Sequence, residues 1–80
     1  MDRTIYQIIK QTWLVLKMYI QNAKDSDKES YWDGEGDALH AIVDSTEGQP
    51  KYVSQFAYDL VQAVDKLLSD MHREKREASA

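Results

Sequence analysis

The chain is poor in residues that staple or break a small fold: it has no cysteine, one proline and three glycines among 80 residues. Without cysteine it forms no disulfide and no thiolate metal site, which fits a reducing compartment, so we expect a cytoplasmic protein. Its most apolar segment, residues 1–20, is interrupted by Lys10 and Lys17. We therefore expect neither a signal peptide nor a membrane helix. A single domain of this length has a marginal core unless a partner enlarges it.

Charge is distributed unevenly along the chain, whose net charge is −4. Residues 25–47 hold eight acids and one lysine, residues 1–24 carry a net charge of +3, and residues 48–80 are neutral overall. A nucleic-acid-binding protein needs a contiguous positive surface, so we expect no nucleic-acid partner. The acidic segment has two interpretations. It is either a contact surface for a protein, because a concentrated field steers association, or the solvated face of a helix.

Hydrophobic residues recur at steps of three and four in the first and last parts of the chain, which is the helical period. The pattern predicts a helix over residues 3–23, with Asp2 as its N-cap. It predicts another over residues 50–74, with Pro50 at the first position. Residues 75–80 lack an apolar anchor, and we expect them to form a frayed tail.

The middle of the chain predicts a helix over residues 27–44. Ser26 is the expected N-cap because Ser26 and Glu29 match the capping-box pattern. Gly34 and Gly36 are unusual inside a helix, where each costs about 1 kcal/mol relative to alanine. They either let a neighbouring helix approach closely, kink the helix or delay its start.

The breaks between these helices are short, and Gly48 suits the end of the second helix. Short connections favour antiparallel neighbours, so the sequence predicts an all-α, antiparallel three-helix bundle that forms one domain over residues 1–80. The expected core residues are Ile5, Ile9, Trp13, Leu16, Ile20, Trp32, Leu39, Ile42, Val43, Val53, Phe56, Leu60, Val64 and Leu67.

The sequence contains no motif that indicates catalysis, a cofactor or a metal. Asp37, His40 and Asp44 share one helical face and could ligate a metal or raise the basicity of His40. The favoured interpretation is a surface histidine linked to two acids. The acidic stretch from Asp25 lacks the glycine and glutamate that a calcium loop needs, and three acids in residues 33–37 would repel a phosphate. We expect a protein that is not an enzyme and binds no cofactor.

Two surfaces are candidates for contact with partners. Five tyrosines exceed what so small a core can bury. They either cap the edges of the core with their hydroxyls in water or form an interface, since tyrosine is enriched where proteins meet. The candidate partner-binding residues, whose acids we expect to be exposed, are Tyr31, Asp33, Glu35, Asp37 and Asp44. The last apolar stripe extends past the reach of the second helix, and its candidate self-association residues are Leu67, Leu68 and Met71.

The segments Trp13-Leu-Val-Leu-Lys-Met-Tyr19 and Ser30-Tyr-Trp-Asp33 carry a family resemblance. With them the chain resembles the small uncharacterised helical proteins of Firmicutes phages and prophages, in length, in these motifs and in its closing amphipathic helix. The resemblance implies a mobile-element origin and no site residues. Small phage proteins of this kind often bind host proteins, including defence systems.

Three functions remain open on the sequence. The first is a non-enzymatic protein-interaction module that self-associates as a homodimer. The second is a phage-encoded inhibitor whose acidic helix occupies the basic, nucleic-acid-binding groove of a host protein. The third is a metal-dependent enzyme fragment built on Asp37 and His40.

Overall fold

The structure, a computed structural model, describes residues 3–79. Its helices are α1 (Arg3–Gln21), α2 (Glu29–Asp44) and α3 (Lys51–Ser79), and a short 3-10 turn spans Ala23–Asp25. Of the described residues, 87% are helical and none forms a strand. Each helix packs against the other two, so the predicted all-α three-helix bundle is confirmed.

Contacts at one end of the bundle show how the helices run. Lys75 Nζ, near the end of α3, donates to the backbone oxygen of Ala23 at 3.3 Å. His72 Nδ1 lies 2.8 Å from Ser26 Oγ, just before α2 begins. Successive helices are therefore antiparallel, and α1 runs parallel to α3. The bundle measures 46 × 19 × 18 Å, because the 29 residues of α3 at about 1.5 Å each set its length.

The core is one cluster of buried side chains drawn from a stripe on each helix, with α3 contributing most. Its members are Ile8 from α1, Leu39 and Ile42 from α2, and Val53, Ala57, Val61, Val64 and Leu68 from α3. The predicted core residues that pack against this cluster while half-buried are Leu16, Trp32, Val43, Phe56 and Leu60. Core prediction is therefore confirmed for α2. On α3 only Val53 and Val64 of the predicted residues are buried, and the prediction missed Ala57, Val61 and Leu68.

The predicted core face of α1 is wrong. Ile8 and Thr12 are each 3% exposed, whereas Ile9, Trp13 and Ile20 lie on the surface, Trp13 with 56% exposure. The Thr12 hydroxyl donates to the Ile8 backbone oxygen at 2.7 Å, which satisfies it inside the core. Apolar side chains cover more than half the circumference of α1, so periodicity alone did not identify the buried side.

Leu67 is a second core residue predicted wrongly. Its side chain is 45% exposed, and the adjacent Leu68 is 3% exposed. Residues 53, 57, 61, 64 and 68 follow the steps of four and three that keep side chains on one face. Leu67 precedes Leu68 by one position and lies at the edge of that buried face.

The prediction that Ser26 is the N-cap of α2 is also wrong. The helix begins at Glu29, preceded by Lys28, which makes no capping hydrogen bond with its side chain. Ser26 is buried instead, and its backbone oxygen accepts a hydrogen bond from Trp32 Nε1 at 2.8 Å. The Trp32 and His72 rings meet edge to face, with centroids 5.6 Å apart. Ser26 thus joins α2 to α3.

The glycines of α2 lie inside a continuous helix, and one of them permits a close approach. A Cβ at Gly34 would lie 2.7 Å from the Tyr19 hydroxyl of α1, whereas a Cβ at Gly36 would meet no described atom within 4 Å. The Tyr31 hydroxyl donates to the Tyr19 backbone oxygen at 2.8 Å. The expectation that Gly48 ends α2 is wrong, because the helix ends at Asp44 with Ser45 as its C-cap. Gly48 lies in the turn that leads to α3 and has a φ of 84°, in the left-handed region that favours glycine.

The helix boundaries differ from the predictions by a few residues. α1 ends at Gln21 rather than 23, and α3 continues to Ser79, so residues 75–79 are helical. The expected Asp2 cap and the last tail residue, Ala80, lie outside the described residues. Among residues 3–79, no helix has both the length and the apolarity needed to span a bilayer.

Replacing Leu68 by alanine should lower the free energy of unfolding by about 2–5 kcal/mol, because it empties a buried site. The matched change at the adjacent position, Leu67→Ala, should cost less than about 1 kcal/mol. Urea unfolding at low protein concentration measures both without a contribution from association. Equal losses at the two positions would contradict the rotation of α3 described above.

Candidate functional site

The predicted partner-binding residues divide between two sides of α2. Asp33, Asp37 and Asp44 are exposed, as expected, whereas Tyr31 and Glu35 are buried. The expectation that Glu35 is exposed is therefore wrong, as is Tyr31 as a surface contact. Both lie in the 31, 35, 39, 42 series, whose steps of four and three place them on the core stripe with Leu39 and Ile42. That spacing was the available signal.

Glu35 lines a cleft between α2 and α3, here called the α2–α3 cleft. Its volume is about 460 Å3, and its lining residues are Glu35, Gly36, Leu39, His40, Val43, Tyr58, Val61, Gln62 and Asp65. Glu35 is 2% exposed, and Asp65 is half-buried. The sequence did not indicate this pair, because its two acids are thirty positions apart on different helices.

Burial raises the pKa of Glu35 from 4.5 to about 7, and a hydrogen bond with Asp65 and the negative charge of Asp65 add to the effect. Burial, followed by the charge of Glu35, also raises the pKa of Tyr31 and of Tyr19. When Glu35 is protonated it can share its proton with Asp65. When it is ionised, Glu35 Oε2 is buried without a hydrogen-bond partner among the described residues.

The helical face that could ligate a metal consists of Asp37, His40 and Asp44, and all three side chains are exposed. His40 Nε2 lies 3.4 Å from Asp44 Oδ2, and both side chains are mostly exposed. Within residues 3–79, no group of three or more histidine, aspartate or glutamate side chains is arranged to hold a metal ion. The structure brings His40 to Asp44 and leaves Asp37 outside that pair.

A second candidate surface consists of exposed or half-buried apolar side chains on α1 and α3. We call it the α1/α3 face, and its residues are Tyr6, Ile9, Trp13, Leu16 and Ile20 on α1, with Tyr52, Phe56, Leu60, Leu67 and Met71 on α3. Two predicted self-association residues, Leu67 and Met71, belong to it. The third, Leu68, is buried in the core and is not available for contact.

Both helices turn these side chains toward the same groove. Gln7 and Gln11 of α1 line a depression with Ile42 of α2, so the opposite flank of α1 borders α3. Tyr58 and Gln62 of α3 line the α2–α3 cleft, so the opposite flank of α3 borders α1. The apolar flanks of the two parallel helices therefore form one continuous surface.

Comparisons of the chain with protein-family models, with curated proteins and with solved structures find no match. The surfaces of the described residues that bear on function are the α1/α3 face, the exposed acids of α2 and the α2–α3 cleft.

The raised pKa of Glu35 makes stability depend on pH. Folded Glu35 holds its proton more tightly than the unfolded chain does, so its contribution is complete below about pH 4.5 and is lost as pH rises through 7. The free energy of unfolding should fall by roughly 2–3 kcal/mol over that interval. Urea unfolding of wild type and Glu35→Gln measures it: the glutamine variant should show a flatter profile. The control variant Asp33→Asn, changed at an exposed acid, should keep the wild-type slope.

Proposed function

We propose that the chain is a small non-enzymatic protein-interaction module that binds through the α1/α3 face. The observation that carries this proposal is the distribution of exposed large apolar side chains. Every such side chain in residues 3–79 lies on α1 or α3, and none lies on α2. Aromatic residues and methionine are the types enriched where proteins meet, and an apolar surface of this extent is unfavourable in water.

The occupant we propose for this face is a second copy of the chain. A compact monomer of 9.3 kDa exposes about 5,000 Å2, whereas this chain exposes 5745 Å2. The excess is about 700 Å2, close to the roughly 800 Å2 that each partner contributes to a standard interface. Burial of one elongated face in a homodimer removes an excess of this size and also enlarges a marginal core.

Charges at the edges of the face favour one arrangement of the two copies. On α1, Lys10 and Lys17 lie three and four positions from Trp13, so they border the face. On α3, Asp59 borders it in the same way from Phe56, whereas Asp70, three positions from Leu67, is paired with Lys66 and Arg73. A two-fold axis along the helices places α1 of one copy against α3 of the other, so the lysines at the edge of α1 lie on the same side as Asp59 of the second copy. An axis across the helices would oppose like charges.

The homodimer proposal predicts a species of twice 9.3 kDa in sedimentation equilibrium at tens of micromolar. The double variant Trp13→Glu with Leu67→Glu should return the mass to that of one chain, because four carboxylates would be buried in each interface. The matched control changes two equally exposed α1 residues outside the face, Leu14→Glu with Met18→Glu.

Circular dichroism melts of both double variants establish that each remains folded. A wild-type chain that stays at 9.3 kDa, or a control that dissociates as readily as the face variant, would contradict self-association through this surface.

A second candidate function is inhibition of a host protein by an acidic surface that imitates nucleic acid. Glu29, Asp33 and Asp37 are exposed at steps of four residues, and Asp44 continues their side of α2. Each step advances about 6 Å along the helix, whereas the charges of one DNA strand advance 3.4 Å each. The three acids therefore match the spacing of every second phosphate. In this role the chain would be a phage-encoded inhibitor in the bacterial cytoplasm; the resemblance itself implies only a mobile-element origin.

Inhibition of this kind predicts that a basic, nucleic-acid-binding protein is captured by the chain from a Firmicutes host lysate. Charge reversal at Asp33, Asp37 and Asp44 to lysine should abolish capture without loss of fold, because these acids are exposed. Capture should also weaken as salt rises past roughly 0.15 M. The control reverses three exposed acids of α3: Asp59, Glu74 and Glu77. Recovery of the chain alone, or equal loss in both triple variants, would contradict the mimic.

A further inference from the structure

The α2–α3 cleft has a chemistry that neither proposed function uses. Leu39, Val43 and Val61 give it apolar walls, and Glu35 and Asp65 give it a pair of carboxyl groups. Asp65 is half-buried and Glu35 almost completely buried, so the pair extends from the mouth of the cleft to its floor. Its volume of about 460 Å3 falls within the 300–1,000 Å3 range of sites for small molecules.

Glu35 is unfavourable as a purely structural residue. When ionised, its Oε2 atom is removed from water and meets no hydrogen-bond donor among the described residues. A buried carboxylate oxygen without a donor destabilises a folded chain, and an apolar side chain would fill the same volume without that cost. Glu35 lines the cleft, so a ligand that enters the cleft can supply the donor that this buried oxygen lacks.

The charged groups around the cleft determine which charge a bound donor should carry. No lysine or arginine of the described chain lines it. The titratable groups around Glu35 come from all three helices, and they are Tyr19 on α1, Tyr31 and His40 on α2, and Tyr58 and Asp65 on α3. Burial raises the pKa of Tyr19 and Tyr31, which keeps both neutral. The two carboxyl groups therefore dominate the cleft, and a cation is the ligand that they favour.

We propose that the α2–α3 cleft binds an alkylammonium or alkylguanidinium group, whose head pairs with Glu35 and Asp65 while its alkyl stem lies along Leu39, Val43 and Val61. Charge-assisted hydrogen bonds to two carboxylates are the strong contacts for such a head. The Tyr58 ring, at the edge of the cleft, adds a surface on which a cation can stack. Free amines and the lysine or arginine side chains of a protein share this chemistry.

Binding of the cation should displace a proton. Glu35 has a pKa of about 7, so below that pH the pair holds a proton that the cation replaces, and Glu35 changes from carboxyl to carboxylate as the proton leaves to solvent. Affinity should therefore rise toward about pH 8, and the released proton should approach one per ligand below pH 7. A ligand held only by surface charge would release none.

The direct test is isothermal titration calorimetry of the full chain with n-butylguanidinium and n-butylammonium, with n-butanol as the uncharged control. Titration in two buffers of different ionisation enthalpy counts the protons released. Glu35→Gln and Asp65→Asn should each weaken binding at least about tenfold, because each removes one charge-assisted contact. The matched controls, Glu47→Gln and Glu74→Gln, change exposed acids outside the cleft and should bind as wild type does.

A second arm separates the two sources of the ligand. Tighter binding of a blocked Gly-Arg-Gly peptide than of n-butylguanidinium would support a side chain of a protein partner, and equal binding would support a free amine. Three outcomes would overturn the site: no heat with either cation at about pH 8, equal binding by n-butanol, or binding without proton release below pH 7. Proton release by wild type is measured without any variant, so a variant that fails to fold leaves the test intact.

Discussion

The packing of α3 against both other helices is the interaction on which the rest of this structure depends. α1 and α2 have 19 and 16 residues, whereas α3 has 29 and supplies five of the eight members of the buried cluster. Ala57 has no exposed surface, so its small side chain lets the neighbouring helices approach closely at mid-bundle. Each flank of α3 then has its own role, since one borders the α2–α3 cleft and the other the α1/α3 face.

The rotation of α2 is fixed by polar and aromatic contacts as well as by apolar burial. Tyr31 joins Tyr19 of α1 by a hydrogen bond and by edge-to-face ring contact, with centroids 4.9 Å apart. Gly34 provides room for the Tyr19 hydroxyl beside the helix. These contacts keep the Tyr31 side chain directed at the core. Because Glu35 lies about one turn further along α2, its side chain faces the core as well. The buried carboxyl of Glu35 is thus a consequence of the aromatic junction one turn earlier.

The sequence was sufficient for the fold class because α2 and α3 each present one well-defined apolar stripe. It was insufficient for α1, where apolar residues surround most of the helix and a buried Thr12 replaces an expected hydrophobic residue. Ser26 matched a capping pattern, yet its hydroxyl lies beside His72, a contact between residues 46 positions apart that local patterns do not encode. Glu35 was assigned to the surface because it is charged, although its spacing from Leu39 indicated the core. The α2–α3 cleft needed the packing of two helices to become visible.

The two tryptophans of the chain occupy environments that make them separate spectroscopic reporters. Trp13 projects from the middle of the α1/α3 face into solvent, so its emission responds to whatever covers that face. Trp32 is held by Ser26 and His72 at the junction of α2 and α3, so its emission responds to opening of that end of the bundle. Replacing either one by phenylalanine leaves a single tryptophan. Association and local opening can therefore be followed independently in the unlabelled protein.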